Sequence, residues 1–197
     1  NRLAPLANLL AGRNIPLLLH VNEPAGHDYP GKTAVDFRAL QHFISSHSDL
    51  TIILAHWGGG FFFFELMPEI QQICRRVYYD TAASPFLYHS RIYEVAVKIL
   101  GDNRILFGSD LPILRMRMRR IEKDGIYVNL VPKGLYGDVS GDINMAEVEG
   151  PQADELTFFM YEEINAFRTA AKAASLRQQD IEDIFFKNAA AIIKGMA

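Results

Sequence analysis

The sequence predicts an α/β fold built around a parallel sheet, and three observations carry that expectation. Short apolar runs of strand length alternate with amphipathic stretches of helical period from residue 1 to about residue 114. The strand-like runs are apolar throughout rather than alternating, as in strands covered on both faces. Polar residues close these runs at a regular interval. His20 to His56 is 36 residues, His56 to Asp80 is 24 and Asp80 to Asp110 is 30, close to the roughly 30 residues of one βα unit.

Each element has a local cause. Leu3, Leu6, Leu9 and Leu10 recur at helical spacing and stop at Gly12, so the chain opens on a helix end. IPLLLHV (Ile15–Val21) is a buried strand, and the turn-rich NEPAGHDYPGK after it is a long loop. DFRALQHFISSH (Asp36–His47) gathers Phe37, Leu40, Phe43 and Ile44 on one face, the mark of an amphipathic helix. A strand over Thr51–Ala55 then leads into His56, Trp57 and three glycines. The glycines are expected to keep the strand's exit open to backbone and substrate, and Phe61–Phe64 to form core and pocket wall. FELMPEIQQICRRV (Phe64–Val77) is a helix, VYYDTAA (Val77–Ala83) a strand, Tyr93–Leu100 a helix and RILFGSD (Arg104–Asp110) a strand. Beyond Leu114 the alternation stops. Residues 115–150 are expected to form an insertion on the rim where the strands end, with RMRMRR (Arg115–Arg120) as a solvated helix face. Helices over Gln152–Ala174 and Gln178–Lys194 pack outside the sheet, the last one stopped by Gly195.

Composition removes several function classes. A chain of 197 residues with 49% hydrophobic and 22% charged residues can bury a core within a single domain. With 20 basic against 23 acidic residues and a net charge of −3, it has no electrostatic footprint for nucleic acid and no polybasic membrane anchor. A lone cysteine, Cys74, forbids an internal disulfide, and a reducing, cytoplasmic compartment is expected.

Strand ends are where α/β sheets bind ligands, in open doubly wound sheets and in (β/α)8 barrels alike. No G-x-G-x-x-G fingerprint occurs, so neither a dinucleotide-binding nor a phosphate-loop protein is expected. His20, His56 and Asp110 are the principal candidates, because three strands each end in a residue type that binds zinc or moves protons. The loop after His20 offers Glu23, His27, Tyr29 and Lys32 to a substrate carboxylate or amide, and Arg115 offers a cation to an acidic substrate. Asp80 and Asn188 are expected to be structural, Asn188 through a specific hydrogen bond. Asp138–Glu149 imitates a calcium loop but carries Ile143 where the turn needs glycine, so an acidic surface loop is expected.

HVNEP at 20–24, ILAHWGGG at 53–60, FGSDLP at 107–112 and the closing DIFFKNAAAII at 183–193 together resemble the amidohydrolase-related metal-dependent hydrolases and decarboxylases. The resemblance implies a TIM barrel of which about strands 5–8 and their helices are present, with C-terminal helices. It implies His20 and Asp110 as metal ligands and His56 and Asp110 as catalytic groups. The implied metal is divalent, zinc with manganese as the alternative. The implied activity is hydrolysis of an amide, ester or lactone-like bond by activated water. The alternatives are non-oxidative decarboxylation and, from another class, an incomplete barrel that binds a ligand or partner. The family's first-strand His-x-His pair is absent from these 197 residues. The chain is therefore expected to be part of a longer protein, inactive alone, and completed by an N-terminal half barrel or by self-association. A small-molecule substrate is expected, without nucleic acid or membrane.

Overall fold

The computed structural model describes residues 3–22, 31–89, 91–110 and 117–195. Four short strands, β1 (Leu17–Leu19), β2 (Ile52–Leu54), β3 (Val77–Asp80) and β4 (Ile105–Leu106), form a parallel sheet in chain order. Between them lie helices α1 (Ala4–Gly12, ahead of β1), α2 (Phe37–Ser46), α3 (Pro68–Ile73), α4 (Ser84–Leu87) and α5 (Ile92–Leu100). Asp36 starts α2 by accepting the amide hydrogens of Arg38 and Ala39 at 3.0 Å, a side-chain cap for donors that the helix cannot satisfy itself.

Register explains which side of the sheet is core. Leu54, Tyr79 and Ile105 sit side by side, as do Ile52 and Val77. All five are buried, in one cluster with Leu40, Phe43, Ile44 and Ile70 of the flanking helices. The opposite face carries Leu18, Ile53 and Tyr78 in one row. Leu18 is 63% exposed, and Ile53 and Tyr78 are only partly covered. The expectation of strands buried on both faces therefore holds on the helix side alone. The other face is the concave face of a partial barrel and is only partly covered by the described residues.

The core also holds an ion pair that the sequence did not announce. Arg104 donates to both oxygens of Glu65 at 3.0 and 2.6 Å and to the Cys74 carbonyl at 3.0 Å. The Tyr79 hydroxyl donates to the same carboxylate at 2.7 Å. Burial, reinforced by the Glu65 charge, pushes the Cys74 thiol up to about 12, which leaves it an inert packing group.

Beyond β4 the chain forms a second sheet, in the order β7 (Met145–Val148), β6 (Ile126–Pro132), β5 (Arg117–Lys123), β8 (Thr157–Phe158). From Arg117 on, the arginine-rich stretch is strand rather than helix face: β5 and β6 pair antiparallel across a turn at Asp124 and Gly125, both at positive φ. Asp138 and Asp142 accept backbone N–H groups two residues on, as turn residues do. The long helix expected from Gln152 is divided into α6 (Pro151–Asp154) and α7 (Phe159–Ala173) by β8. The last helix runs from Gln178 to Lys194 with a π-turn at Asp183–Lys187. This turn serves the sheet. The Ile184 carbonyl accepts from the Phe107 amide at 2.9 Å, and Phe185 stacks on Phe107 at 4.3 Å. The hydrogen bond expected of Asn188 is present, from its amide to the carbonyls of Asp102 and Ile105.

Candidate functional site

His20, His56 and Asp110 follow the C-terminal ends of β1, β2 and β4, and the fold brings them together. The rings of His20 and His56 meet edge to face with centroids 5.2 Å apart, and His56 Nε2 lies 3.9 Å from Asp110 Oδ1. Glu23, His27, Tyr29 and Arg115 lie outside the described residues. Lys32 is described and half-buried in the segment before α2.

His56 is the most constrained of the three. Its amide donates to Asp80 Oδ1 at 2.9 Å, and its Nδ1 lies 3.0 Å from the Ala82 carbonyl. A carbonyl can only accept, so Nδ1 carries a proton, and Nε2 is the nitrogen that faces Asp110. Asp80 also accepts the Ala82 amide. Burial raises its pKa, and the two N–H groups and the His56 ring oppose that rise. Asp80 therefore positions His56, consistent with the structural role expected of it. On His20, Nε2 lies 3.2 Å from Asn22 Oδ1, while the Asn22 amide nitrogen donates to Thr33.

Four of the seven described non-glycine residues at positive φ lie here. His56, Trp57, Ala83 and Asp110 have φ of 53–57°, a left-handed conformation costing non-glycine residues roughly 1–3 kcal/mol each where the surroundings impose it. The left-handed run continues through Gly58–Gly60. The backbone approach expected at these glycines is present. A Cβ on Gly59 would lie 2.5 Å from the Asn22 carbonyl oxygen, so the glycine is needed for close backbone packing against Asn22. Phe61 and Phe62 are core as expected, whereas Phe63 and Phe64 are exposed.

A further acid lies behind the site. Glu163 on α7 is 0% exposed, accepts the Thr81 hydroxyl hydrogen at 3.2 Å, and has its second oxygen buried without a hydrogen bond. Burial, with Asp80 and Asp110 adding to it, pushes its carboxyl up to about 9. The signal for it was legible: Glu163 stands four residues from Phe159 and four from Phe167, on the apolar face of its helix. Because the folded protein holds this proton while the unfolded chain releases it near 4.5, stability falls as pH rises between those two values, by up to about 1.4 kcal/mol per unit. Glu163→Gln removes that slope. Urea midpoints of the two proteins should separate progressively from pH 5 to 8.5, with the variant the more stable at the alkaline end; parallel curves would show that Glu163 is not held neutral.

One string contradicts the expectation that no phosphate loop is present. GHDYPGKT, Gly26–Thr33, has the spacing G-x-x-x-x-G-K-T. A phosphate loop requires its Lys-Thr to open a helix, but α2 begins at Phe37 under its own Asp36 cap. The Thr33 carbonyl and hydroxyl are bound to Asn22, so the structural context of that motif is missing.

The sequence model of the amidohydrolase family matches residues 1–194. The chain belongs to the amidohydrolase family. No curated protein matches the sequence. Among solved structures, this amidohydrolase chain is similar to an uncharacterized TIM-barrel protein from Bordetella bronchiseptica, with 16% identity and a TM-score of 0.54. That match covers 100% of this chain and 51% of the other. It is also similar to 5-carboxyvanillate decarboxylase from Sphingomonas paucimobilis, with 14% identity, a TM-score of 0.56 and coverage of 96% and 52%. A third, 2,6-dihydroxybenzoate decarboxylase from Rhizobium, gives 15% identity, a TM-score of 0.52 and coverage of 96% and 54%. At these identities the likeness is one of fold. The chain spans about half the length of these structures, and its sheet is a partial TIM barrel. No described helix is long and apolar enough to cross a membrane.

Imidazole nitrogen and carboxylate oxygen are zinc-type donors, so His20 and Asp110 suit a divalent metal in kind. In number they fall short, because among the described residues no three His, Cys, Asp or Glu side chains group closely enough to hold one.

Proposed function

We propose that this amidohydrolase chain carries half of the active site of a metal-dependent hydrolase acting on an amide, ester or lactone-like bond. The observation that supports it most is the approach of His56 Nε2 to Asp110 at 3.9 Å, at the ends of strands of one parallel sheet and beside His20. His20 and Asp110 would hold a divalent metal, zinc or manganese, with further donors from polypeptide outside these residues. Such a metal supplies Lewis-acid polarisation and acidifies water. Asp110 takes the proton of the attacking water, standing 3.9 Å from His56 Nε2 with a partly exposed side chain. His56, oriented by the bond from Nδ1 to the Ala82 carbonyl, presents Nε2 to the substrate and, when that nitrogen carries a proton, donates it to the charge that develops. Glu23, His27, Tyr29 and Arg115 are the proposed substrate contacts.

Decarboxylation is the second reading, favoured by the likeness in fold to two structures named as decarboxylases. The native protein, loaded with zinc or manganese, separates the two when offered simple esters, lactones and amides alongside aromatic carboxylic acids. Hydrolysis products are the expected result. Carbon dioxide release without hydrolysis transfers the assignment to the decarboxylases, and neither activity would leave a binding module.

A further inference from the structure

The second sheet has no part in the chemistry above, yet it grips the rim at one point. Arg120 on β5 stands opposite Asn129 on β6, and Glu122 opposite Tyr127. Arg120, Asn129 and Tyr127 therefore share one face of the hairpin. That face meets α4 and the residue after it. Arg120 donates to the carbonyls of Pro85, at 2.7 Å, and of Tyr88. Asn129 donates to the Phe86 carbonyl at 3.0 Å and Tyr127 to that of Leu87 at 3.4 Å. The guanidinium lies 3.8 Å from the centroid of the Tyr127 ring, which fixes the fork from its other side.

Four consecutive carbonyls, Pro85–Tyr88, are thus taken by three side chains of the second sheet. A helix end leaves its last carbonyls without partners of its own, and a helix of four residues such as α4 consists of little else. The segment so held has both ends on the site. The Tyr88 hydroxyl donates to the carbonyl of His56 at 2.7 Å, and Ser84 accepts the indole N–H of Trp57 at 2.6 Å. His56 and Trp57 are two of the non-glycine residues at positive φ, a conformation that persists only where the surroundings impose it.

We propose that the second sheet is a positioning clamp for His56, acting through Arg120 and Asn129 on the Ser84–Tyr88 segment and through the Tyr88 hydroxyl on the His56 backbone. Arg120, Asn129 and Tyr88 are positioning residues. The proposal rests on the assignment of His56 to the site for its meaning, but not for its test, which needs no turnover.

The test is hydrogen exchange by mass spectrometry on the native protein and on Arg120→Ala, Asn129→Ala and Tyr88→Phe, with emission of Trp57, the single tryptophan, as a second probe. Tyr88→Phe removes one oxygen from a partly buried ring and keeps the packing. Exchange in His56–Leu66 should rise about tenfold or more in Arg120→Ala and Tyr88→Phe, as losing a hydrogen bond to a buried carbonyl allows. Exchange in β2 and β3 should stay at the native rate, and Trp57 should become more accessible to acrylamide. Unchanged exchange at His56–Leu66 would overturn the clamp. So would an equal rise in β2 and β3, which marks general destabilisation. A protected segment that loosens as described in a protein without hydrolytic activity would retain the clamp and reject the hydrolase.

Discussion

Asp110→Asn in the native protein lowers kcat by roughly 10³-fold with KM little changed, the scale of a lost general base. Asparagine keeps the shape and one acceptor oxygen, so the fold and the left-handed turn at φ 53° survive, while the proton acceptor is removed. The contrast with Asp80 sharpens the expectation. Asp80 already accepts the amides of His56 and Ala82, and its carboxylate is committed to holding the strand end. Asp110 is 28% exposed at its side chain and faces the Nε2 of His56. An Asp110→Asn protein that keeps more than about a tenth of native kcat, against the 10²–10⁴ expected of such a group, would remove Asp110 from the chemistry.

Arg104→Ala destabilises the fold by about 3–5 kcal/mol, the cost of stranding a buried charge. Glu65 has a side chain with 0% exposure, and Arg104 is its cationic partner. The loss does more than remove Coulombic attraction. The guanidinium also satisfies the Cys74 carbonyl, and the carboxylate it neutralises accepts the Tyr79 hydroxyl. A second change, Glu65→Gln in the Arg104→Ala background, restores part of the stability by neutralising the stranded group. Urea unfolding of the three proteins measures both effects. A loss below about 1 kcal/mol for Arg104→Ala, the scale of an exposed pair, would mean that water reaches Glu65 in the folded state.

The parallel sheet and the meeting of His20, His56 and Asp110 beyond its strand ends could be read from the sequence because both depend on local patterns. Apolar runs near Leu17–Leu19, Ile52–Leu54 and Val77–Tyr79, bounded by turn residues and alternating with helical stretches, fit parallel strands, and a polar residue after such a run falls on the rim. The second sheet was not legible. Arg117–Lys123 looks like a solvated face because arginine is exposed in most settings, and its strand character comes from pairing with Ile126–Pro132 and Thr157–Phe158, which no local window contains. The backbone approach expected at Gly58–Gly60 is present, but its partner, the Asn22 carbonyl against Gly59, lies far away in the chain and no local window names it. Glu65 and Arg104 are 39 residues apart, and only the fold shows that they are partners. Glu163 differs, since its place between Phe159 and Phe167 on one helical face could have revealed it before any coordinates were known.

The claim that His20 and Asp110 hold a divalent metal at this rim is tested most directly by the metal content of the native protein, purified without chelator. The expected result is stoichiometric zinc or manganese in the native protein and in Glu163→Gln, and loss of that metal in both His20→Ala and Asp110→Ala. Full metal occupancy in folded His20→Ala and Asp110→Ala proteins would contradict it.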